Sequence, residues 1–360
     1  MAHGFSRAFD SQHRTLWRIL FRAPARRIQA PAIASNQGAM STFLRWFVRL
    51  AALVAVLVLV GAGVLVRDGF SRWPTSPYAV PHASARSWDD VFAHPSPVTV
   101  ETLLTGLIDM NRCDNLDQAN PAAAACRSPA PLQDFAHVIT HQRLGVYLVD
   151  SGFATRFADS PPYGNYSLAM QLFNRALGVR NEQRPGQDVA RVLRDRNLRP
   201  HAVFFTHLHP DHTSGVADLP ADADYVFGRQ EAGFLGRVAV GSHFSGKPHL
   251  KTLDYTGVAR MPPLGPAVDL LGDGSFWAIS TPGHTPDHTS YLVNTNPPTL
   301  LLGDASHFAW AFEQGIAPRA MTSDDAARAT ESLAALRQFA RAYPQVRIVY
   351  GHEGASRSLN

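Results

Sequence analysis

Charge is what this sequence has least of. Only 17% of its 360 residues are charged, against 45% hydrophobic. That balance excludes wholesale disorder and allows a sizeable core. The length suits one large domain with additions, or two small domains. Cysteine occurs twice, too few for a cysteine-built zinc site. No repeat of 20–50 residues is present, so a solenoid is not expected. A cationic body is missing as well. The formal net charge is +4, but residues 1–66 hold eight arginines against the single acid Asp10, a balance of +7, so the remaining residues sum to −3. The body has two lysines, Lys247 and Lys251. Nucleic acid is therefore not an expected partner.

One long hydrophobic run is present. From Phe43 the chain reads "FLRWFVRLAALVAVLVLVGAGVLV", and residues 50–66 are uncharged, at the lower limit for crossing a bilayer. Arg45 and Arg49 precede it, so the positive-inside rule leaves that end in the cytoplasm and exports the body to the periplasmic or extracellular side. Residues 43–66 are either a membrane anchor or a cleaved signal peptide, because Val60-Gly61-Ala62 supplies small residues of the kind a signal peptidase uses. "MSTFLRWFVRL", from Met40, alone has the form of an export signal, which makes Met40 the expected start. The expected organisation is a basic leader over residues 1–39, the apolar segment over 40–66, a Pro/Ser/Ala linker over 67–97 and a single domain over 98–360. In an oxidising compartment Cys113 and Cys126, 13 residues apart, are expected to pair.

Strands and helices alternate along the body. Residues 98–111 are rich in β-formers, 137–152 read as a hairpin, and 186–198 carry Val189, Val192 and Leu193 at helical spacing. Residues 323–343 open on a serine and two aspartates, as a helix start does. Short strands are expected over 223–228 and before the polar loops of "STPGHT", "LLGDA" and "VYGHE". Ligand-type residues fall at strand C-termini, which points to an α/β layered sandwich.

The densest chemistry is "FFTHLHPDHTSG", residues 204–215. His207 and His209, two apart on an extended segment, project to the same side and can grip one cation. Pro210 forces a bend, after which Asp211 and His212 reach a second position. Imidazole and carboxylate suit zinc, iron or manganese. With 16 histidines and 23 aspartates in the chain, chance would produce H-x-H-x-D-H in about two of a thousand such chains. The bland alternative is a loop whose histidines satisfy backbone groups. The remaining histidines, His137, His141, His201, His243, His249 and His288, read as surface or hydrogen-bonded structural residues.

Taken in order, "YLVDSG" with Asp150, "THLHPDHTSG", "ISTPGHTPDHTSYLV" with His284, "LLGDAS" with Asp304 and "VYGHE" with His352 resemble the metallo-β-lactamase superfamily. The motifs are most similar to its branch containing N-acyl homoserine lactonases. The resemblance implies a four-layer αβ/βα sandwich, here preceded by one N-terminal hydrophobic helix. It also implies two divalent ions at the sheet edge, zinc first, with iron and manganese as alternatives. His207, His209 and His284 would hold one ion, Asp211, His212 and His352 the other, and Asp304 would bridge them. A bridging hydroxide would then be the nucleophile, Asp211 the proton donor to the leaving oxygen, and Asp150 a support for the ligand loop. Two positions depart from the branch. His307 stands where a substrate-contacting tyrosine is common, and either replaces its hydrogen bond or marks a different substrate. Asp287 stands where glycine is frequent.

Fold alone does not fix a substrate. Asp304 argues against a true β-lactamase, and His209 against oxygen-reducing relatives, which place a glutamate there. The near-lysine-free body argues against a nuclease. Eight residues after His352 leave no helical extension of the kind glyoxalase II-like thioesterases carry. The expected function is hydrolysis of a small-molecule ester or lactone. Residues 157–173 and 307–312 either line an acyl pocket or pack ordinarily. Alternatives are a thioester, phosphoester or β-lactam hydrolase of the same fold, or a non-catalytic metal-binding scaffold. Seven ligands favour the enzyme, since a structural site closes with four.

Overall fold

The structure, a computed structural model, describes residues 37–71, 73–83, 85–127, 130–320 and 323–354. Most of the basic leader expected over residues 1–39 lies outside them.

A helix, Gln37–Gly69, opens the described chain. Its segment Thr42–Arg67 has a mean hydropathy of 2.6 and buries none of its surface, so by length and composition it can cross a membrane. Thirteen strands are described after it: β1 Thr75–Pro77, β2 Val98–Asp109, β3 Leu132–His141, β4 Gly145–Val149, β5 Arg180–Glu182, β6 Pro200–Phe204, β7 Asp224–Gly228, β8 Leu250–Leu253, β9 Ala267–Asp269, β10 Phe276–Ser280, β11 Thr289–Val293, β12 Thr299–Leu301 and β13 Arg347–Val349. One sheet runs β1-β8-β7-β6-β4-β3-β2-β5, the other β13-β12-β11-β10-β9. β4, β6, β7, β8 and β1 are parallel neighbours. β12 and β13 are parallel too, while β2 to β4 form antiparallel hairpins.

The layering follows from the period of two along each strand. On β6, Phe204 joins the cluster between the sheets, while Val203, with Phe205 just beyond the strand, packs outward with Val189, Leu193 and Val216. On β10, Phe276 and Ala278 face that same central cluster. Trp277 and Ile279 face out, onto Leu333, Leu336 and Phe339 of the helix Ser323–Ala342. Helix, sheet, sheet and helix therefore stack in four layers. Strands buried on both faces read as continuous apolar runs, as in "HAVFF" and "SFWAI".

Residues 67–97 are not the linker their composition suggests. β1 adds an edge strand beside β8, where Pro77 costs no ladder bond on the open side. Trp73 packs edge-on against Phe227 at 5.9 Å. Trp88 is 1% exposed and donates from Nε1 to the Met261 carbonyl oxygen at 2.8 Å. Small and proline residues hid two tryptophans whose burial outweighs the loop-like setting.

The bridge between Cys113 and Cys126 is formed. Its loop packs Leu116 and Ala123 against Phe308, Ala311 and Ile316. The backbone bonds Asp117 N to Ala317 O and Arg319 N to Asn115 O join it to the segment after Asp304.

Burial holds the His137 imidazole down at about 3, and the His243 ring at about 4. Both are neutral in the folded protein, whereas an unfolded histidine takes up a proton below about pH 6.5. Their stabilisation is therefore present above that pH and lost as pH falls toward the folded values. Between pH 7 and pH 5 each should cost about 2 kcal/mol. Denaturant midpoints at the two pH values should show a smaller acid loss in His137→Gln than in the native chain, and equal losses would contradict the assignment.

Candidate metal centre

Every candidate ligand sits on a loop or short helix that leaves a strand at one edge of the sandwich. His207 and His209 follow β6, and Asp211 and His212 lie on the short helix Pro210–Thr213, with Pro210 in its first turn. His284 lies between β10 and β11, Asp304 follows β12 in the 3₁₀ turn Gly303–Ala305, and His352 follows β13. Parallel neighbours deliver their C-termini to the same edge, so residues 145 positions apart in sequence meet there.

Two groups of ligand atoms form. His207, His209, His284 and Asp304 each bring one atom within 4.8 Å of all the others, and so do Asp211, His212 and His352. A third such set joins Asp304 to His307 and His352. Asp304 belongs to the first and third sets, and His352 joins the third to the second. Its Oδ2 lies 3.3 Å from His284 Nε2, 3.8 Å from His207 Nε2 and 3.1 Å from His307 Nε2. Its Oδ1 lies 3.6 Å from His212 Nε2 and 3.2 Å from His352 Nε2. All seven expected ligands, and His307, are thus brought together.

The imidazoles are aimed by their outer nitrogens. Asp150 ends β4 with φ at +56°, a left-handed geometry that aspartate tolerates. Its Oδ1 accepts from the Thr206 backbone N–H at 2.8 Å, and its Oδ2 accepts from the Thr206 hydroxyl at 2.9 Å and from His212 Nδ1 at 2.8 Å. The Thr206 hydroxyl, its proton given to Asp150, is left to accept from His207 Nδ1 at 3.0 Å. His352 Nδ1 donates to the Gln133 carbonyl oxygen at 2.9 Å. Each bond fixes the tautomer that leaves Nε2 a bare lone pair pointing inward.

Five buried atoms of the cluster lack partners. His207 Nε2, His212 Nε2, His284 Nδ1, His307 Nδ1 and Asp304 Oδ1 are buried without a hydrogen bond, at roughly 1–3 kcal/mol each. Nitrogen and carboxylate donors converging without protons fit a divalent cation. The titration pattern divides the histidines into two pairs. Burial pushes His207 well below its ordinary range and His209 down to about 3. Burial opposes protonation of His212 and His352 too, but the carboxylates win. Asp150, Asp211 and Asp304 hold His212 well up, and Asp304 holds His352 at about 9. Burial works against ionisation of Asp304, yet His352, His307 and His212 keep it well below the carboxylate range.

Two glycines let the loops close. Gly303 has φ at +53°, and a Cβ there would strike the Thr206 side chain at 2.7 Å. A Cβ on Gly351 would collide with Asp304 Oδ1. Asp287 is locked rather than displaced: Gln230 donates to it from its backbone N–H at 2.6 Å and from Nε2 at 2.8 Å. Of the aromatic stretches, Phe157, Tyr166 and Phe308 are core packing. His137, His141, His243 and His288 are buried on hydroxyl, backbone or carboxylate partners.

Family comparison gives the same answer as this geometry. The family model described as the metallo-beta-lactamase superfamily matches residues 130–352. The chain belongs to that superfamily. A gamma-lactamase, FDB1, of Fusarium pseudograminearum is 31% identical over 144 residues, covering 35% of this chain and 34% of that protein. An N-acyl homoserine lactonase, AttM, of Agrobacterium fabrum is 30% identical over 161 residues, covering 42% and 57%. The chain thus spans between a third and three-fifths of the first curated relatives it matches. A solved quorum-quenching N-acyl homoserine lactone hydrolase superposes with a TM-score of 0.51 at 15% identity, over 72% of this chain and 94% of that one, a likeness of fold.

Sequence reading missed two carboxyls of this superfamily site. Asp134, inside the apolar strand β3, is fully buried and accepts from the Thr105 hydroxyl at 2.5 Å. Burial, then Asp211, push it up to about 8, so it stands as a neutral acid behind the ligands. Glu231 accepts from the Leu208 and Asp287 backbone N–H groups and ties the two ligand loops together. A lone acid in an apolar strand was the available signal for Asp134; Glu231 offered none.

Asp150→Asn keeps the size and the left-handed backbone but removes the charge facing His212 and Thr206. Metal affinity should fall about 10–100-fold. Competition against a chromophoric chelator measures it, and unchanged affinity would show that Asp150 does not orient the ligands.

Proposed function

We propose that this chain is a dinuclear metal-dependent hydrolase of a small-molecule ester or lactone, working on the exported side of a membrane. The observation that carries the reading is the gathering of six candidate ligands around Asp304, with the outer nitrogens of His207, His212 and His352 tied and several buried atoms left without partners. Relatives named lactonase and gamma-lactamase favour a cyclic ester or amide as substrate. The disulfide favours an oxidising compartment. Arg45 and Arg49 before the apolar helix favour export of the body.

In this reading His207, His209 and His284 hold one ion, Asp211, His212 and His352 the other, and Asp304 faces both. Neutral imidazole and carboxylate make zinc the first choice, with iron and manganese open to the same donors. When bound, such a pair polarises a carbonyl oxygen and lowers the pKa of water from 15.7 to about 7. The chain's own groups do the rest. Asp211, with 16% of its side chain exposed, is the ligand-side carboxylate best placed to pass a proton to the leaving oxygen.

His307 supplies a hydrogen bond to the substrate oxygen. Its Nε2 is 3.1 Å from Asp304, and its loop is braced from behind. Arg112 lies over the Phe308 ring at 5.8 Å, donates to the Pro131 carbonyl oxygen and pairs with Glu353 at 3.5 Å. Glu353 in turn accepts from the Ala309 backbone N–H at 2.7 Å.

The reading is tested on the full chain loaded with zinc, manganese or iron. About two ions per chain and hydrolysis of lactones ahead of aryl esters, thioesters, phosphotriesters and a β-lactam are expected. His209→Ala should reduce turnover by about 10³-fold or more. Less than one ion per chain with no turnover on any substrate would favour a scaffold instead.

His307→Phe separates substrate contact from metal holding. Turnover should drop about 10²–10⁴-fold with metal content unchanged, and His307→Tyr should recover part of it. Loss of an ion in His307→Phe would instead make His307 a ligand.

A further inference from the structure

Beyond the apolar helix, six large hydrophobic side chains among the described residues are more than half exposed: Phe70 at 72%, Leu168 at 56%, Leu172 at 57%, Phe173 at 56%, Leu177 at 60% and Leu235 at 59%. Scattered exposure would need no explanation, but these six are not scattered. Four lie on the helix Leu168–Leu177 and one on the helix Phe234–Val240. The two helices pack together, with the Ser167 hydroxyl donating to the Val238 carbonyl oxygen at 3.1 Å. The sixth, Phe70, directly follows the apolar helix.

The helix Leu168–Leu177 is inside out. At 3.6 residues per turn, Leu168, Leu172, Ala176, Ala169, Phe173 and Leu177 occupy one continuous side. The opposite side carries Met170, Gln171 and the buried Asn174. A helix that buries asparagine and turns leucines outward is amphipathic in the sense of an interfacial helix, whose apolar side meets something other than water. Arg175 and Arg180 are exposed beside it, where anionic headgroups would lie.

The same surface is tied to the end of the apolar helix. Arg237 Nε, on the helix Phe234–Val240, donates to the Gly69 carbonyl oxygen at 2.7 Å. Trp73 is then fixed against Phe227 and Phe244 at 5.9 and 5.2 Å. Six peptide steps separate Arg67 from Trp73, a reach of about 20 Å. The Gly69 end of the apolar helix is therefore held beside the apolar face.

We propose that the helices Leu168–Leu177 and Phe234–Val240 form a lipid-facing surface, which lays the body on the membrane its N-terminal helix crosses. The occupant is the outer part of that same bilayer, with Leu168, Leu172, Phe173, Leu177 and Leu235 in the acyl boundary and the arginines among headgroups. The surface leads to the metal centre. Asn165, just before the helix, donates from Nδ2 to the Ser214 carbonyl oxygen at 3.0 Å and accepts from the Ser214 hydroxyl at 2.7 Å, two residues after His212. The proposal needs the helix to cross a membrane and is independent of which bond is hydrolysed.

Nitroxide labels test it in the full chain in vesicles containing anionic lipid, since both native cysteines are paired. Labels go on Leu172→Cys, on Val56→Cys inside the apolar helix, and on the exposed Glu331→Cys in the opposite layer. Power saturation with oxygen and with an aqueous nickel chelate reads depth. A several-fold higher oxygen-to-nickel accessibility ratio at 172 than at 331, with 56 higher still, is expected. A water-like ratio at 172 while 56 is in lipid would overturn the proposal. So would dipolar coupling between 172 labels on different chains, which would assign the face to a second copy.

Discussion

The structure depends on one costly act: seven candidate histidine and aspartate ligands, four buried and three half-buried, are brought together with no lysine or arginine among them. Desolvation drives His207 and His209 to neutrality, while Asp304 survives as an anion only because His352, His307 and His212 surround it. Such a cluster is tolerable if each imidazole has one nitrogen satisfied by the protein and the other by a cation. Asp150, Thr206 and Gln133 meet the first condition within the fold. The second condition joins ion binding to stability, because about five unpartnered buried atoms at 1–3 kcal/mol each are comparable with the 5–15 kcal/mol that holds a domain folded.

The sandwich makes this possible by separating tasks. The central cluster between the sheets, from Phe204 and Phe276 to Tyr291 and Val349, is apolar and carries no ligand. The ligands come only from segments just beyond strand ends, where backbone groups are free to turn. Thr206 shows how few residues the arrangement needs. It is two residues past β6, its backbone and hydroxyl both donate to Asp150 at the end of the neighbouring β4, and its hydroxyl accepts from His207. A single parallel pairing thus sets the positions of two ligands.

What was legible in the sequence follows the range of the interaction that sets it. The layered alternation of strands and helices and eight of the thirteen described strands could be read, because apolar periodicity is local, whereas β1, β5, β8, β9 and β11 could not, and the four layers came only with the family resemblance. His207, His209, Asp211 and His212 stood out because they crowd one short segment, while His284, Asp304 and His352 were named only through the family resemblance. The packing of Trp73 and Trp88 could not, since it comes from Phe227 on β7 and Trp277 on β10, far along the chain. Asp134 escaped for the same reason: its strand is ordinary, and burial, then the approach of Asp211, make its carboxyl unusual. The outward face of Leu168–Leu177 escaped because helical periodicity says that a stripe is apolar but not which way it points.

The two features outside the family pattern converge on the same side chain. His307 replaces a residue type that reads as tyrosine in similar proteins, and a histidine beside Asp304 introduces a third imidazole competing for that carboxylate. The disulfide loop, Arg112 and Glu353 brace its loop from behind. Phe308 is caught between the Cys113–Cys126 loop and the Arg112 guanidinium, and the Ala309 N–H is held by Glu353. Since Glu353 directly follows the ligand His352, that restraint is shared with the metal centre. The Cys113–Cys126 bridge thus packs on the residue next to His307, so the covalent link and the placement of that imidazole beside Asp304 belong to one local structure.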